Sequence, residues 1–431
     1  MIIIIQFLVL LNYYIISKLD TTKLEINYFK ENSKLYYVNA MNDENNNLYF
    51  EFWGENDNMR YMIGKYADNE ESIKFKGNEI FSINSGIFST YHDSIIIKSN
   101  NENINIFSLD YNYTSFININ EDSITFFETK NIAISEYRSN GEFSYRNSII
   151  KLSSNKYLFS IIIHSPGFIS AYSYHPNIFI FNFTENNING FNPIHTFDRD
   201  ISKSNSTECF ETKKGIIECF FPHKLPSNQF TIFIFSQELD LLQDGIALGY
   251  YPDSTFTKIF HLKDEIGIYI SFDDRTYGPT HVPIIYFREL ILDNNNRYYL
   301  NTLDNINDLF INSNGKYILD SCLYCSDAIK LNDSKFVVIL TMKTTNNLLI
   351  CFFDILNDSY SFPLILRYYI LELSLINIKI TVNLRTFNYK DNFGLIFYDS
   401  NCGFPGYIFF NYPKIVSDNK TDSRTIAIKL S

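Results

Sequence analysis

The chain repeats one phrase, an apolar strand, a short polar turn and a second apolar strand, and that repetition leaves few folds open to it. The clearest copy is Asp327–Leu356, DAIKLNDSKFVVILTMKTTNNLLICFFDIL. Its opening, Ile329–Phe336 (IKLNDSKF), echoes Ile150–Tyr157 (IKLSSNKY): Ile-Lys-Leu, three polar residues, Lys, then an aromatic. Looser copies pair Leu35–Val38 with Leu48–Trp53, Ser94–Lys98 with Ile104–Asp110, and Tyr157–Ile163 with Ile178–Phe183. Further copies pair Gly215–Phe221 with Phe230–Phe235, Gly267–Phe272 with Ile284–Phe287, Lys335–Leu340 with Leu348–Asp354, and Phe393–Tyr398 with Tyr407–Asn411.

About seven units at this wide spacing, each with text for roughly four strands, read as a repeat array. Thr125–Phe127, Ile132–Ser135, Tyr299–Thr302 and Ile378–Leu384 are candidates for the additional strands. The expected fold is all-β, a single β-propeller of about seven blades, in which blades pack face to face and leave only short edges. Burial on both faces accounts for strands that are continuously apolar rather than alternating. Two tandem β-sandwich domains are the alternative, and a β-solenoid is a further competitor. Helix is confined to short candidates at Ser236–Gln243 and Tyr368–Leu375. No Trp-Asp, kelch or Asp-box signature recurs, and Trp53 is the single tryptophan.

Composition supports strands. Ile, Phe, Tyr and Asn are abundant and helix formers are thin, and aromatic residues reach 17%. β-Branched and aromatic side chains suit a pleated, half-buried surface, while Asn tolerates the positive φ of turns. Met1–Ser17 is an apolar run of signal-peptide length, shorter than a comfortable membrane span. It is expected to be a signal peptide or a short hydrophobic anchor, with residues 18–431 forming one propeller-like repeat domain. No other segment is a candidate transmembrane helix. The net charge of −12 comes without a basic block, which argues against nucleic acid and against anionic membrane surfaces as partners.

Six cysteines, Cys209, Cys219, Cys322, Cys325, Cys351 and Cys402, form an even set in the second half of the chain. A three-residue hairpin turn with Gly215 at the left-handed position sets Cys209 directly opposite Cys219, at disulfide distance. The CxxC at Cys322–Cys325 lacks the second close pair of a zinc site and the βαβ context of a redox motif. Disulfides are therefore expected for all six, with the connectivity of the last four open. Of the Asn-x-Ser/Thr sequons, Asn205, Asn332 and Asn419 fall in polar loops where a glycan fits.

Chemistry-bearing motifs are sparse. There is no GxSxG elbow, no phosphate-cradling GxxxxGK[ST] and no GxGxxG fingerprint. His164, His175, His223 and His281 fall in loops joining paired strands but lack ligand spacing, so no metal site is expected. Asp293-Asn294-Asn295-Asn296-Arg297 begins like a calcium loop but reads as an Asn-rich turn. The most site-like loop is Asp273-Asp274-Arg275 followed by TYGPTHVP, which carries Tyr277 and His281. Adjacent carboxylates on a strand point to opposite faces, so Asp273 and Asp274 do not form the facing pair that glycoside hydrolysis requires. Tyr172 and Tyr174 are further loop aromatics suited to contact.

The resulting expectation is a secreted or surface-exposed, non-enzymatic module that binds extracellular protein or glycan. Its contact face comprises Tyr172, Tyr174, His175, His223, Asp273, Asp274, Arg275, Tyr277 and His281. The loops concerned are His164–Pro176, Pro222–Gln229, Asp273–Val282, Met342–Asn347 and Asp399–Pro405. No catalytic residue, cofactor or metal is assigned, and the oligomeric state is open. The alternatives are a propeller-fold hydrolase acting on carbohydrate and an intracellular propeller scaffold.

Overall fold

The computed structural model describes residues 17–18, 26–28, 34–56, 58–66, 74–80, 93–99, 104–109, 114–120, 124–129, 148–154, 156–165, 173–184, 187–196, 208–223, 229–250, 256–262, 266–272, 284–305, 323–342, 347–355, 363–373, 377–390, 392–410 and 426–429. Among these residues the chain folds into seven sheets, each built around antiparallel neighbours in sequence order. The innermost strands are Lys34–Asn42, Asp93–Ser99, Ser148–Lys151, Glu208–Glu211, Phe256–His261, Leu323–Asn332 and Ile380–Tyr389. Each touches the innermost strand of the next sheet, and the seventh touches the first, so the contacts form a closed ring. The fold is a seven-bladed β-propeller.

Closure uses the N-terminal part of the chain. The seventh blade supplies Ile380–Tyr389, Asn392–Asp399 and Phe404–Phe410, and its outermost strand is Ile26–Tyr28, paired antiparallel with Gly406–Ile408. The outer strand of the sixth blade, Pro363–Leu371, carries two short additions: Ser17–Lys18 in parallel and Ile426–Lys429 antiparallel. Residues 1–16, and with them most of the proposed signal or anchor, lie outside the described residues. No helix among the described residues is long and apolar enough to cross a membrane.

Among the described residues, second and third strands pack against neighbouring blades, which explains their unbroken apolar runs. In Phe336–Leu340 every side chain is buried. Phe336 meets Phe260 of the fifth blade in an edge-on contact at 5.4 Å. Val337 and Ile339 join Leu395, Phe397 and Phe410 of the seventh blade in one core cluster. Other clusters join the seventh blade to the first, the first to the second, the third to the fourth and the fourth to the fifth. The core is therefore a set of layers between blades.

Turns recur as precisely as strands do. At Asp43–Asn47, Thr212–Ile216, Ser236–Asp240 and Asp293–Arg297 the first residue's backbone N–H bonds the fifth residue's carbonyl, and the fourth N–H bonds the first carbonyl. The first side chain then accepts from the fifth N–H: Asp43 from Asn47 at 2.8 Å, Thr212 from Ile216 at 3.1 Å, Ser236 from Asp240 at 3.1 Å and Asp293 from Arg297 at 2.8 Å. The fourth residue is left-handed in every case: Asn46, Gly215, Leu239 and Asn296. This is a type I turn followed by a left-handed residue, for which Asp, Ser or Thr at the start and Asn or Gly fourth are the fitting choices. Leu239 is the exception; it accepts the strained conformation while its side chain is buried in the cluster between the third and fourth blades. The segment Asp293–Arg297 is thus a hairpin turn, as its Asn content suggested.

Ser236–Gln243 is such a turn running into the strand Leu241–Tyr250, so it is not a helix; of the candidate Tyr368–Leu375, Tyr368–Leu371 ends the strand Pro363–Leu371, and residues 374–375 lie outside the described residues. The echo between Ile150–Tyr157 and Ile329–Phe336 is structural: both cross from the innermost to the second strand of a blade. The turns themselves differ. Asn332 pairs directly with Lys335, whereas Leu152 bonds Lys156 across a wider loop.

Gly394 in the second strand of the seventh blade lies opposite Phe387, whose ring covers it. A Cβ there would sit 2.2 Å from Phe387 Cζ. That ring also packs edge-on to Phe50 of the first blade at 5.2 Å. Gly394→Ala is expected to displace Phe387 and destabilise the protein by about 1–3 kcal/mol, as overpacking does. A chemical denaturation midpoint measures it.

Candidate functional site

In an antiparallel meander the second-to-third connections all lie at one end of the blades, with the first-to-second and third-to-fourth turns at the other. The innermost strands begin at the first of these ends, and there a group of charged side chains surrounds the axis. Asp93 and Glu208 open the innermost strands of the second and fourth blades, and Lys258, Asp327 and Arg385 lie within those of the fifth, sixth and seventh.

These groups tie each blade to the next. Asp93 accepts the Ile149 N–H of the third blade at 3.2 Å. Ser148 Oγ accepts the Cys209 N–H of the fourth at 3.2 Å. Glu208 pairs with Lys258 of the fifth at 2.9 Å. Asp327 is buried and accepts from the Thr386 N–H and hydroxyl of the seventh blade at 2.7 and 2.9 Å, and from its neighbour Ala328 at 2.9 Å. Such charge-assisted bonds are the stronger kind. Arg385 lies over the Tyr37 ring at 5.8 Å. Burial opposes its charge, but Tyr37, Asp327, Asp93 and Glu208 outweigh that and hold its proton more firmly than usual.

Two further buried carboxylates lie between blades. Glu51 of the first blade accepts from Ser94 of the second at 3.1 Å, from Trp53 Nε1 at 3.4 Å and from Asn39 at 3.5 Å. Burial first, then the Glu51 charge, pushes the Tyr61 hydroxyl well above its ordinary pKa. Glu218 of the fourth blade faces His261 Nε2 of the fifth at 2.9 Å and accepts the Tyr269 hydroxyl at 2.7 Å. Phe210 stacks on the imidazole with centroids 4.9 Å apart. Burial and then Glu218 raise the Tyr269 pKa strongly, with Arg288 partly offsetting them. Glu218, His261 and Tyr269 are all buried, so this acid–imidazole–phenol set is closed to a substrate and serves packing between blades.

The axial carboxylates of Asp93, Glu208 and Asp327 accept backbone or ammonium protons from the next blade. No cluster of three or more metal-ligating side chains occurs among the described residues.

The residues singled out from sequence fare unevenly. Tyr172, Asp273, Asp274, Arg275, Tyr277 and His281 lie outside the described residues, as do Cys322, Asn205 and Asn419. Tyr174 and His175 were expected in a loop but lie in the third strand of the third blade, where Tyr174 pairs with His164 and His175 with Ile163. His223 likewise closes the second strand of the fourth blade, opposite Gln229. The ladders continue further towards the face than the polar residues suggest, because pairing satisfies backbone groups whatever the side chain.

A disulfide joins Cys209 to Cys219 at the expected register, with Cα atoms 4.2 Å apart. Cys351 and Cys402 are free thiols, contrary to the expectation of disulfides throughout. Cys351 is buried within its sheet opposite Val338 and Tyr368, with no cysteine across from it, and burial lifts its thiol far above the usual range. Cys402 lies exposed in the turn after Asp399. Cys325 belongs to the innermost strand of the sixth blade.

Sequence reasoning missed the axial ties and both buried glutamates. The glutamates were discoverable as lone acids inside apolar runs, Tyr49–Trp53 (YFEFW) and Ile216–Phe221 (IIECFF). The axial acids share a weaker sign: Asp93-Ser94 and Asp327-Ala328 each put a small residue between the acid and an isoleucine.

No protein-family model matches the sequence, and no curated protein matches it. Similar solved structures exist. The N-terminal domain of Nup159 covers 92% of this chain and 98% of its own at 8% identity and a TM-score of 0.41. An alpha-L-arabinofuranosidase of Fusarium graminearum, solved with arabinobiose, covers 93% and 97% at 10% identity and 0.39. A Synechocystis apocarotenoid oxygenase covers 96% and 97% at 7% identity and 0.36. At these scores the likenesses add nothing to the strand order and the closed inner ring, on which the fold rests.

Proposed function

We propose that the protein is a secreted or surface-exposed, non-enzymatic binding module that contacts extracellular protein or glycan with the second-to-third loops at one end of the propeller. The observation that carries the reading is the engagement of the axial acids Asp93, Glu208 and Asp327 in ties between blades. A glycosidase needs two carboxyl groups facing one bond with their protons free to move. Here the described acids on the innermost strands are engaged in ties between blades. The second strands of the third to seventh blades end at Ser165, His223, Phe272, Met342 and Asp399, all towards the proposed contact face.

The Cys209–Cys219 disulfide is consistent with an oxidising compartment. Asn332 ends its strand beside the two-residue turn Asp333–Ser334, where its side-chain oxygen accepts from the N–H and hydroxyl of Ser334 and its exposure leaves room for a glycan in a secreted chain.

The test is an array of oligosaccharides and extracellular proteins, with the glycans analysed for cleavage after incubation. Saturable binding without cleavage is expected. Hydrolysis that disappears in Asp93→Asn or Glu208→Gln, in protein that still melts cooperatively, overturns the reading in favour of a hydrolase. Intact mass of the native protein supplies the compartment: mass lost on deglycosylation, with a smaller loss in Asn332→Gln, is expected, and an unglycosylated chain with reduced Cys209 and Cys219 contradicts secretion. Reducing that disulfide should itself lower stability by about 2–3 kcal/mol, the value for a loop of this size, read as a shift in denaturation midpoint.

A further inference from the structure

The strand Pro363–Leu371 (PLILRYYIL) is the fourth of the sixth blade, and Arg367 is its one charged residue. The outermost strands of the other blades are all interrupted by charged, Asn or Gly residues: KFKGNEI, ITFFET, NINGFNPIHT, LLQDGIALGY, YYLNTLDN and the short INY. A long apolar edge presents a row of unpaired backbone N–H and C=O groups and invites a further strand. Among the described residues, the sixth blade alone carries strands beyond its fourth. Ile426–Lys429 runs antiparallel to Pro363–Leu366, with Ile426 opposite Leu366 and Ile428 opposite Leu364. Ser17–Lys18 runs parallel to Tyr369–Ile370. This edge therefore accepts strands in both directions.

The two added segments are tethered differently. Residues 19–25 join Ser17–Lys18 to Ile26–Tyr28 in the seventh blade, a reach of about 25 Å when extended. Residues 411–425 join Phe404–Phe410 of the seventh blade to Ile426–Lys429, a reach of about 50 Å. The radius of gyration of a 431-residue domain is about 22 Å. The longer tether thus lets Ile426–Lys429 reach the same edge on a neighbouring molecule. We propose that Ile426–Lys429 pairs with Pro363–Leu366 of a second copy of this chain, each molecule lending its segment to the other's sixth blade. The register made within one molecule is available unchanged between two, so the exchange needs no new kind of contact and follows protein concentration. Reciprocal exchange closes on a two-fold axis with both edges filled. One-way exchange would leave an apolar edge open at the end of every assembly. The interface lies on the outer side of one blade and stands or falls independently of the loops assigned above.

Cysteine pairing tests it in the full-length chain, in a Cys402→Ser background that removes the exposed free thiol. Leu366→Cys and Ile426→Cys, directly opposed in the register, are prepared separately, mixed and treated with oxidised glutathione. Intact mass should show a covalent heterodimer whose share rises with protein concentration and far exceeds the dimer formed by either variant alone. In light scattering, the wild type should show a dimer fraction that grows with concentration. Ile428→Pro removes a backbone N–H from a strand of four residues and should weaken that dimer at least tenfold. Cross-linking keeps the test valid if the proline variant melts abnormally. A Leu366→Cys/Ile426→Cys chain that cross-links only within itself, while the mixture stays monomeric, would overturn the proposal. So would the absence of cross-links in both, a wild type monomeric at every concentration, or a dimer undiminished by Ile428→Pro.

Discussion

Asp327→Ala is expected to destabilise the protein by about 3–5 kcal/mol, the range for removing one partner of a buried, charged hydrogen-bond set. Its carboxylate satisfies three donors, the Ala328 N–H and the Thr386 N–H and hydroxyl, and those on Thr386 belong to the next blade. Alanine leaves them without acceptors in a site where Asp327 is only 4% exposed. It also removes one of the charges that hold the Arg385 proton, so the guanidinium loses compensation beside the axis. Thr386→Val separates the two contributions. That variant removes only the hydroxyl donor and should lose about 1 kcal/mol, the value for one ordinary hydrogen bond. Denaturant midpoints of the two variants and the wild type decide it, and an unchanged Asp327→Ala midpoint would refute the tie.

Trp53→Ala carries a comparable expected loss, about 3–5 kcal/mol, as for other large-to-small aromatic truncations in a core. Trp53 is buried between the first and second blades and packs edge-on to Tyr61 with ring centroids 4.8 Å apart. Its indole N–H donates to Glu51, which has no exposure. The substitution therefore opens a cavity and deprives a buried carboxylate of a donor. Trp53→Phe fills most of the cavity but restores no donor, and should recover about half of the loss. The wild type reports its own unfolding, because Trp53 is the single tryptophan and its fluorescence follows this one joint. An alanine variant within about 1 kcal/mol of the wild type would mean that the joint relaxes around the gap.

The architecture was legible in the sequence because a strand buried on both faces is written as an unbroken apolar run. Phe336–Leu340 and Ile232–Phe235 announce themselves for this reason. The phase of the repeat was not. In the first two blades the recognised pairs are the innermost and second strands, whereas from Tyr157 onward they are the second and third. The innermost strands Ser148–Lys151 and Glu208–Glu211 are four residues long and open with polar residues, so they offer too little periodicity to register. The Cys209–Cys219 pairing was legible since a short hairpin fixes its own register. The ties Asp93–Ile149 and Asp327–Thr386 were not, being 56 and 59 residues apart and defined only once two blades stand side by side. The same holds for Glu218 and His261, 43 residues apart, each unremarkable alone.

The strand Ile26–Tyr28 is made early and used last. Its partner Gly406–Ile408 leaves the ribosome about 380 residues later, roughly 20–80 seconds at ordinary translation rates. Throughout that interval the aromatic layer that will join the last blade to the first, Phe50 with Phe387 and Tyr407, has only one of its two halves. Such distant pairing makes folding slow and leaves hydrophobic surface open to aggregation meanwhile. The nascent chain is thus expected to depend on chaperone protection until its final blade is complete, and to lose that dependence abruptly once the ring shuts.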